Sequence, residues 1–170
     1  TTGTRNVAVG SDALEANTTA SNNTAVGYNA LLSNTTGAEN SAVGDRALDA
    51  NTTGSKNNAM GHMALGANTE GAANTSIGHD SMLSNTTGTD NVAVGAFALD
   101  ANTTANDNTA IGRSALGGNT TGVRNTAVGI SALKENTTAN NNTGIGAGAL
   151  ASNTTGTENT AVGEDALNLN

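Results

Sequence analysis

The chain of 170 residues contains no Cys, Pro or Trp, one Tyr, one Phe and two His, and its formal net charge is −8. A chain so poor in nucleophiles, thiolate ligands and aromatic side chains is not typical of an enzyme, and we expect no cofactor and no metal. Its six Lys and Arg are scattered along the sequence, which argues against a nucleic-acid partner.

The apolar content is low and is never concentrated in one segment. Leu, Ile, Val and Phe together account for 26 residues, a fraction usually found in disordered chains. No run of 18 apolar residues occurs, so we expect no membrane insertion in this segment. The chain starts at Thr1 and stops where a repeat is completed, and we interpret it as a window of a longer fibre.

A strict internal repeat overrides the compositional signal. Rows of 17 residues align ten times without an insertion; we call each row a coil and each of its 17 positions a column. The single predicted domain, 1–170, comprises coils 1–17, 18–34, 35–51, 52–68, 69–85, 86–102, 103–119, 120–136, 137–153 and 154–170. A fixed period predicts a solenoid in which each unit packs only on its neighbours.

Asn and Gly occupy invariant columns of the repeat. Asn side chains bond nearby backbone and tolerate left-handed φ, so the Asn columns are predicted to stack as amide ladders along the long axis. The column-6 ladder comprises Asn6, Asn23, Asn40, Asn57, Asn74, Asn91, Asn108, Asn125, Asn142 and Asn159. The column-17 ladder comprises Asn17, Asn34, Asn51, Asn68, Asn85, Asn102, Asn119, Asn136 and Asn153, followed by Asn170. Column 10 is predicted to turn the chain, with Gly10, Gly27, Gly44, Gly61, Gly78, Gly95, Gly112, Gly129, Gly146 and Gly163.

Two columns carry large apolar residues and form the predicted core. Column 9 contains Val9, Val26, Val43, Met60, Ile77, Val94, Ile111, Val128, Ile145 and Val162. Column 14 contains Leu14, Leu31, Leu48, Leu65, Met82, Leu99, Leu116, Leu133, Leu150 and Leu167. The charged residues avoid both columns and concentrate in columns 5, 11, 12, 15 and 16, which are predicted to face solvent.

The local signals predict an all-β chain. Asn-Thr-Ala-Val-Gly, as in 23–27, is typical of a short strand that ends in a turn. For the second half of each coil we favour another short strand, which gives a parallel β-roll. The segments 28–33 and 130–135 would also fit a single helical turn closed by Asn, so a strand plus a helical turn per coil is the alternative.

The small core predicts association of several chains. Two large side chains per coil contribute ~1.5–3 kcal/mol each, whereas ordering each residue costs ~1–2 kcal/mol of backbone entropy. Columns 8 and 13 accept little but Ala, Ser and Gly. They either allow the close approach of another chain or fill the narrow interior of one roll. We predict that parallel chains associate, as a homotrimer.

Other candidate sites have simpler interpretations. His62 and His79 lie in column 11 of adjacent coils, close enough to share a metal ion, but the column also accepts Ser11, Tyr28 and Asp45. We therefore interpret the pair as stacked surface rings and predict no metal site.

Two patterns of the Thr-rich segments suggest further roles. The recurring Asn-Thr-Thr matches the N-glycosylation pattern, which we attribute to the repeat. Arrays of Thr on a β-solenoid suggest ice binding, although the neighbours Thr18 and Thr19 would point to opposite faces and the column of Thr24 also accepts Val, Ser and Asn.

The motif Asn-Thr-Ala-Val-Gly-x-x-Ala-Leu, at 23–31, 125–133 and 159–167, resembles repeats of bacterial and phage tail-fibre-like surface proteins. Its Asn-Thr/Ser-Ala-Val-Gly core is similar to the head repeats of trimeric autotransporter adhesins. That resemblance implies left-handed parallel β-rolls assembled as trimers.

We therefore expect a structural segment of an extracellular fibre, at a cell surface or on a virion, that supplies length, stiffness and surface display for adhesion or filament formation. The alternatives are a phage tail-fibre shaft or receptor-binding fibre, and an ice-binding solenoid. The expected partners are copies of the chain itself and a cell-surface or host-surface ligand.

Overall fold

The computed structural model describes residues 2–169; Thr1 of column 1 and Asn170 of column 17 lie outside the described residues. One strand of three residues occurs in each coil, at columns 7 to 9. The strands are β1 Val7–Val9, β2 Thr24–Val26, β3 Ser41–Val43, β4 Asn58–Met60, β5 Thr75–Ile77, β6 Val92–Val94, β7 Thr109–Ile111, β8 Thr126–Val128, β9 Thr143–Ile145 and β10 Thr160–Val162.

The ten strands form one parallel sheet in chain order, β1 to β10. Each residue pairs with the residue 17 positions later, as Val7 pairs with Thr24 and Ala8 with Ala25. The predicted all-β solenoid with stacked 17-residue coils is therefore confirmed.

The second half of each coil is a series of turns, and the prediction of two strands per coil is wrong. In coil 18–34 the backbone N–H of Leu32 donates to the carbonyl of Asn29 at 3.2 Å, and that of Asn34 to the carbonyl of Leu31 at 3.2 Å. Between these bonds, other backbone groups bond to the adjacent coils, as the Leu31 N–H does to the carbonyl of Ala47 at 3.1 Å. Turns with backbone hydrogen bonds to the adjacent coils thus take the place of the predicted second strand.

The alternative with a helical turn is also wrong. Residues 2–169 contain no helix, and consequently none that is long and apolar enough to cross a bilayer. Leu31 and Leu133, within the two segments that suggested a helical turn, have φ of 53° and 51°. A residue in the left-handed region cannot continue a right-handed helix.

Left-handed backbone recurs in three columns. All 29 non-glycine residues with positive φ within 2–169 belong to columns 5, 12 and 14, with φ between 47° and 62°. For Leu this conformation costs ~1–2 kcal/mol. Only the surrounding structure can hold it, since Leu has no short polar side chain to bond the local backbone. A backbone hydrogen bond from the column-14 N–H to the next coil supplies that restraint at all nine junctions between coils.

Column 14 forms the core and column 9 does not. The middle residue of each strand, in column 8, points inward, so columns 7 and 9 point outward. Leu14 and the column-14 residues from Leu31 to Leu150 are buried, whereas Leu167, with a coil on one side only, is exposed. The prediction that column 9 belongs to the core is wrong: Val9, Val43, Met60, Ile77, Ile111, Ile145 and Val162 are exposed, and Val26, Val94 and Val128 are half-buried.

Two Asn ladders run through the interior, as predicted. Column-6 residues from Asn23 to Asn142 and column-17 residues from Asn17 to Asn153 are buried, and Asn6 and Asn159 are half-buried. Among the described residues, no buried side-chain polar atom lacks a hydrogen-bond partner. Burial of so many amides is therefore compatible with a stable interior.

The two ladders meet at the carbonyl of column 3. The Nδ2 groups of Asn23 and Asn34 both donate to the carbonyl oxygen of Gly37, each at 2.9 Å. Oδ1 of Asn23 accepts from the backbone N–H of Asn40 at 2.9 Å, and Nδ2 of Asn51 donates to Oδ1 of Asn34 at 2.9 Å. Each amide thus joins its own coil to the next.

Glycine in column 10 allows adjacent coils to touch. Gly27 has φ of 139°, and a Cβ built there would lie 2.2 Å from the carbonyl oxygen of Gly44. No side chain fits at that distance, so the predicted turn position also sets the spacing of the coils.

A matched pair of substitutions in coil 103–119 tests the assignment of the core. The Leu116 side chain is fully buried and Ile111 is 41% exposed. We expect Leu116→Ala to lower the free energy of unfolding of the monomeric chain by ~2–5 kcal/mol because it opens a cavity. Ile111→Ala removes no buried contact of comparable size and should have the smaller effect in urea denaturation. Equal losses would contradict the inward and outward assignment.

Neighbouring Asn residues test the amide ladder. Asn57→Ala leaves the backbone N–H of Asn74 without its side-chain acceptor, and the carbonyl of Gly71 keeps only the bond from Asn68. We expect a loss of ~1–3 kcal/mol for each buried group left without a partner. Asn58→Ala is the control, because Asn58 is exposed on the sheet. A chemical-denaturation comparison in which both variants behave alike would refute a stabilising ladder.

Candidate interaction surface

The outward side of the sheet is the most regular exposed surface of the chain. We call it the strand face and define it as columns 7 and 9 of β1 to β10. Column 7 supplies Thr in six strands and Val, Ser or Asn in the others, and column 9 supplies only Val, Ile or Met. Because the strands are in register, equivalent side chains form two parallel rows.

The strand face carries no charge, and its column-9 row is apolar. Seven of its column-9 residues are 36–69% exposed. Scattered apolar residues are normal on protein surfaces, but a continuous row of them marks an interaction site. The absence of charge in column 9 predicts burial inside the chain, whereas the structure places this uncharged row outside.

The alternation of residue size was the signal that could have located this face. Columns 7, 8 and 9 read, for example, Thr24, Ala25 and Val26, with the smallest residue in the middle. In a strand, one side of this triplet must face the interior. A narrow coil has room inside for Ala but not for Val.

Columns 8 and 13 face each other inside the coil, so they fill the interior and do not offer a surface to a second chain. A Cβ built on Gly144 of column 8 would lie 3.3 Å from Cγ of Leu133, next to the buried Leu column. In coil 69–85 the Ser76 hydroxyl contacts the Ser81 hydroxyl and donates to the Ser81 carbonyl at 2.8 Å. The two exceptions to Ala in one coil are therefore bonded partners.

The Thr-rich segment has little free hydrogen-bonding capacity in column 1. The Thr35 hydroxyl donates to the carbonyl of Thr52 at 3.0 Å, and the Thr52 hydroxyl to that of Thr69 at 3.0 Å. In the Asn-Thr-Thr pattern, Nδ2 of Asn34 already donates to Asn17 and Gly37. Its buried amide is therefore not accessible to a glycan in the folded chain.

Charged side chains lie at the sides of the coil, where two carboxylates are partly buried. Burial raises the pKa of Asp49 above its ordinary value of 3.8, against the lowering effects of a hydrogen bond from the Ala50 backbone and of nearby Arg46. Burial also raises the pKa of Asp100. Both occupy column 15, and a Cβ built on the glycine of that column in the next coil, Gly66 or Gly117, would lie within 3.5 Å of the carboxylate.

Within residues 2–169 no pocket is found, so the surfaces available to a partner are the outer faces of the solenoid. No family model, curated protein or solved structure matches the chain.

The raised pKa values predict how stability depends on pH. The native carboxyls bind protons at higher pH than the unfolded ones do, so these two groups make the native state more stable as the pH falls towards 3.8. The double variant Asp49→Asn with Asp100→Asn removes this contribution. We expect it to be more stable than the wild type at pH 7, with the difference shrinking in thermal unfolding between pH 7 and pH 4. A difference that does not change with pH would contradict the assignment.

Proposed function

We propose that this chain is a rod-forming segment of an extracellular fibre, and that parallel copies associate through the strand face as a homotrimer. The observation that carries the proposal is the continuous row of uncharged Val, Ile and Met side chains along all ten coils, of which seven are exposed and three half-buried. Such a row is characteristic of an interface and unusual for the surface of a monomer.

The geometry of the solenoid suits a mechanical role. Ten coils at a strand spacing of ~4.8 Å extend about 48 Å along one axis. Each coil packs only on its neighbours, so added coils would lengthen the rod without changing its cross-section. The backbone and amide ladders run along that axis and resist separation of the coils.

A second copy of the chain is the occupant that matches the strand face best. Two rods with the same repeat present rows of the same period, so contacts made by one coil are repeated by every other coil. The strand face is about three residues wide at ~3.3 Å each and 48 Å long, or roughly 480 Å², and every coil adds the same contact to it.

In a trimer of parallel chains, the strand face of each chain faces the common axis. Each chain then contacts two neighbours, and the column-9 rows of all three chains are covered. The resemblance to trimeric adhesin heads supports the same number. Columns 5, 11, 12 and 15 stay outside, where many weak contacts to a cell-surface ligand can add up along the fibre.

Ice binding is the second candidate, and one observation favours it. Thr of column 7 and the β-branched residues of column 9 stand side by side on the strand face, as in Thr109 and Ile111. These two rows form a regular array of hydroxyl and methyl groups. The columns 1 and 2 considered from the sequence do not, because the column-1 hydroxyls bond to backbone.

A charge in the centre of the strand face tests the self-association. Ile111 lies in β7 and is exposed, so Ile111→Lys should fold, yet it places one ammonium group per chain in the uncharged interface. We expect light scattering to give the mass of three chains for the wild type and of one chain for the variant. Thr121→Lys is the matched control, because column 2 is exposed there and accepts Glu70 in another coil.

The same proteins separate the candidate functions. A wild type that remains a folded monomer at micromolar concentration would reject the oligomer. If that monomer shows thermal hysteresis that Ile111→Lys abolishes and Thr121→Lys keeps, ice binding is the function of the face. Electron microscopy of the native assembly is expected to show a rod or filament; isolated compact particles would contradict the fibre.

A further inference from the structure

We propose that His62, His79 and Asp80 form a binding site for a divalent transition-metal ion, with Zn²⁺ as the reference ion. From the sequence alone we expect no metal at the two His residues, because their column varies freely. The structure confirms that the rings stack, with centroids 4.9 Å apart and an interplanar angle of 19°, and it adds a carboxylate from the neighbouring column.

The carboxylate of Asp80 bridges the Nδ1 atoms of the two stacked imidazoles. Its Oδ1 is 3.2 Å from Nδ1 of His62, and its Oδ2 is 3.2 Å from Nδ1 of His79. All three side chains offer ligand atoms within 4.8 Å of one another. Zn²⁺ binds imidazole N at ~2.0–2.1 Å and carboxylate O at ~2.0–2.2 Å, so a tetrahedral site places its ligand atoms about 3.3 Å apart. Each imidazole nitrogen already lies at about that distance from one carboxylate oxygen, Oδ1 for His62 and Oδ2 for His79.

The backbone holds the three residues in this arrangement. The N–H of Asp80 donates to the carbonyl of His62 at 3.0 Å, which ties coils 52–68 and 69–85 together at the site. The N–H of Phe97 donates to the carbonyl of His79 at 3.0 Å, and the Phe97 ring lies 5.5 Å from the His79 ring. Only the side-chain torsions of exposed His62 and His79 must adjust to bring both Nδ1 atoms to one ion.

The donor set suits a transition metal and leaves part of its coordination open. Two neutral imidazoles and one carboxylate are ligands that Zn²⁺, Ni²⁺ and Cu²⁺ accept, and they offset one of the two positive charges of the ion. The His side chains are 43% and 56% exposed and that of Asp80 is 17% exposed, so the carboxylate forms the floor of the site. The fourth position faces solvent, where water or a group from another molecule can bind.

The test is a Zn²⁺ titration of tag-free protein. The chain has only two His, so every imidazole signal in its proton NMR spectrum comes from this site. We expect both sets of signals to change together and to saturate at one Zn²⁺ per chain, with calorimetry giving the same stoichiometry. Signals that do not respond to a tenfold excess of Zn²⁺ would overturn the proposal.

Three variants should each weaken Zn²⁺ binding at least about tenfold: His62→Ser, His79→Ala and Asp80→Asn. The repeat already contains these residues at the same columns, as Ser11, Ala96 and Asn29, so each variant is expected to fold. Asp165→Asn is the matched control, because Asp165 shares column 12 and a positive φ with Asp80 and lies far from the His pair. If Asp165→Asn weakens binding as much as Asp80→Asn, or if either His variant binds as the wild type does, the three residues are not the ligands.

Discussion

The bond between a side chain in one coil and the same side chain in the next is the constraint on which this structure depends. Each Asn of columns 6 and 17 occupies the coil interior only because an equivalent Asn lies directly before or after it, as in the bond from Asn51 Nδ2 to Asn34 Oδ1. A single insertion would displace the Asn side chains of that coil from their partners in the adjacent coil and leave those amides buried without a hydrogen bond, at ~1–3 kcal/mol per group. The strict period of 17 residues and the invariance of both Asn columns follow from this one requirement.

The same constraint explains how the chain tolerates backbone that its residues do not prefer. Leu in the left-handed region is unfavourable by itself. Here Leu31 is held by a backbone bond to the next coil and by its own buried side chain. The conformation brings column 14 inward while the backbone N–H and carbonyl groups still reach the coils on both sides. The unfavourable backbone conformation of Leu is thus offset by burial of its side chain and by continuous backbone hydrogen bonding between coils.

The narrow interior decides where apolar residues can be placed. One row of Leu, two rows of Ala and two rows of Asn amides fill the coil, and no space remains for the β-branched residues of column 9. They therefore face outward on a sheet whose backbone is already satisfied, so the chain displays an uncharged row without exposing unpaired strand edges along it. Variable columns behave differently: residues 17 or 18 positions apart become neighbours in space. Ser76 and Ser81 inside one coil, and His62, His79 and Asp80 across two coils, show how local exceptions to the repeat combine into specific contacts.

The period, the all-β solenoid, the two Asn ladders and the turn at Gly10 and its equivalents were determined by the sequence, because register and repetition are visible in its columns. The number of strands per coil and the direction of Val26 or Ile111 were not. The sequence of an uncharged row is the same whether the row packs inside its own coil or faces outward. Only the course of the backbone around the coil decides which of the two occurs. Tertiary structure likewise decided the conformation of Leu31 and the contacts of the Asp80 carboxylate with two imidazoles. Both depend on bonds to the adjacent coil and leave no local signal in the sequence.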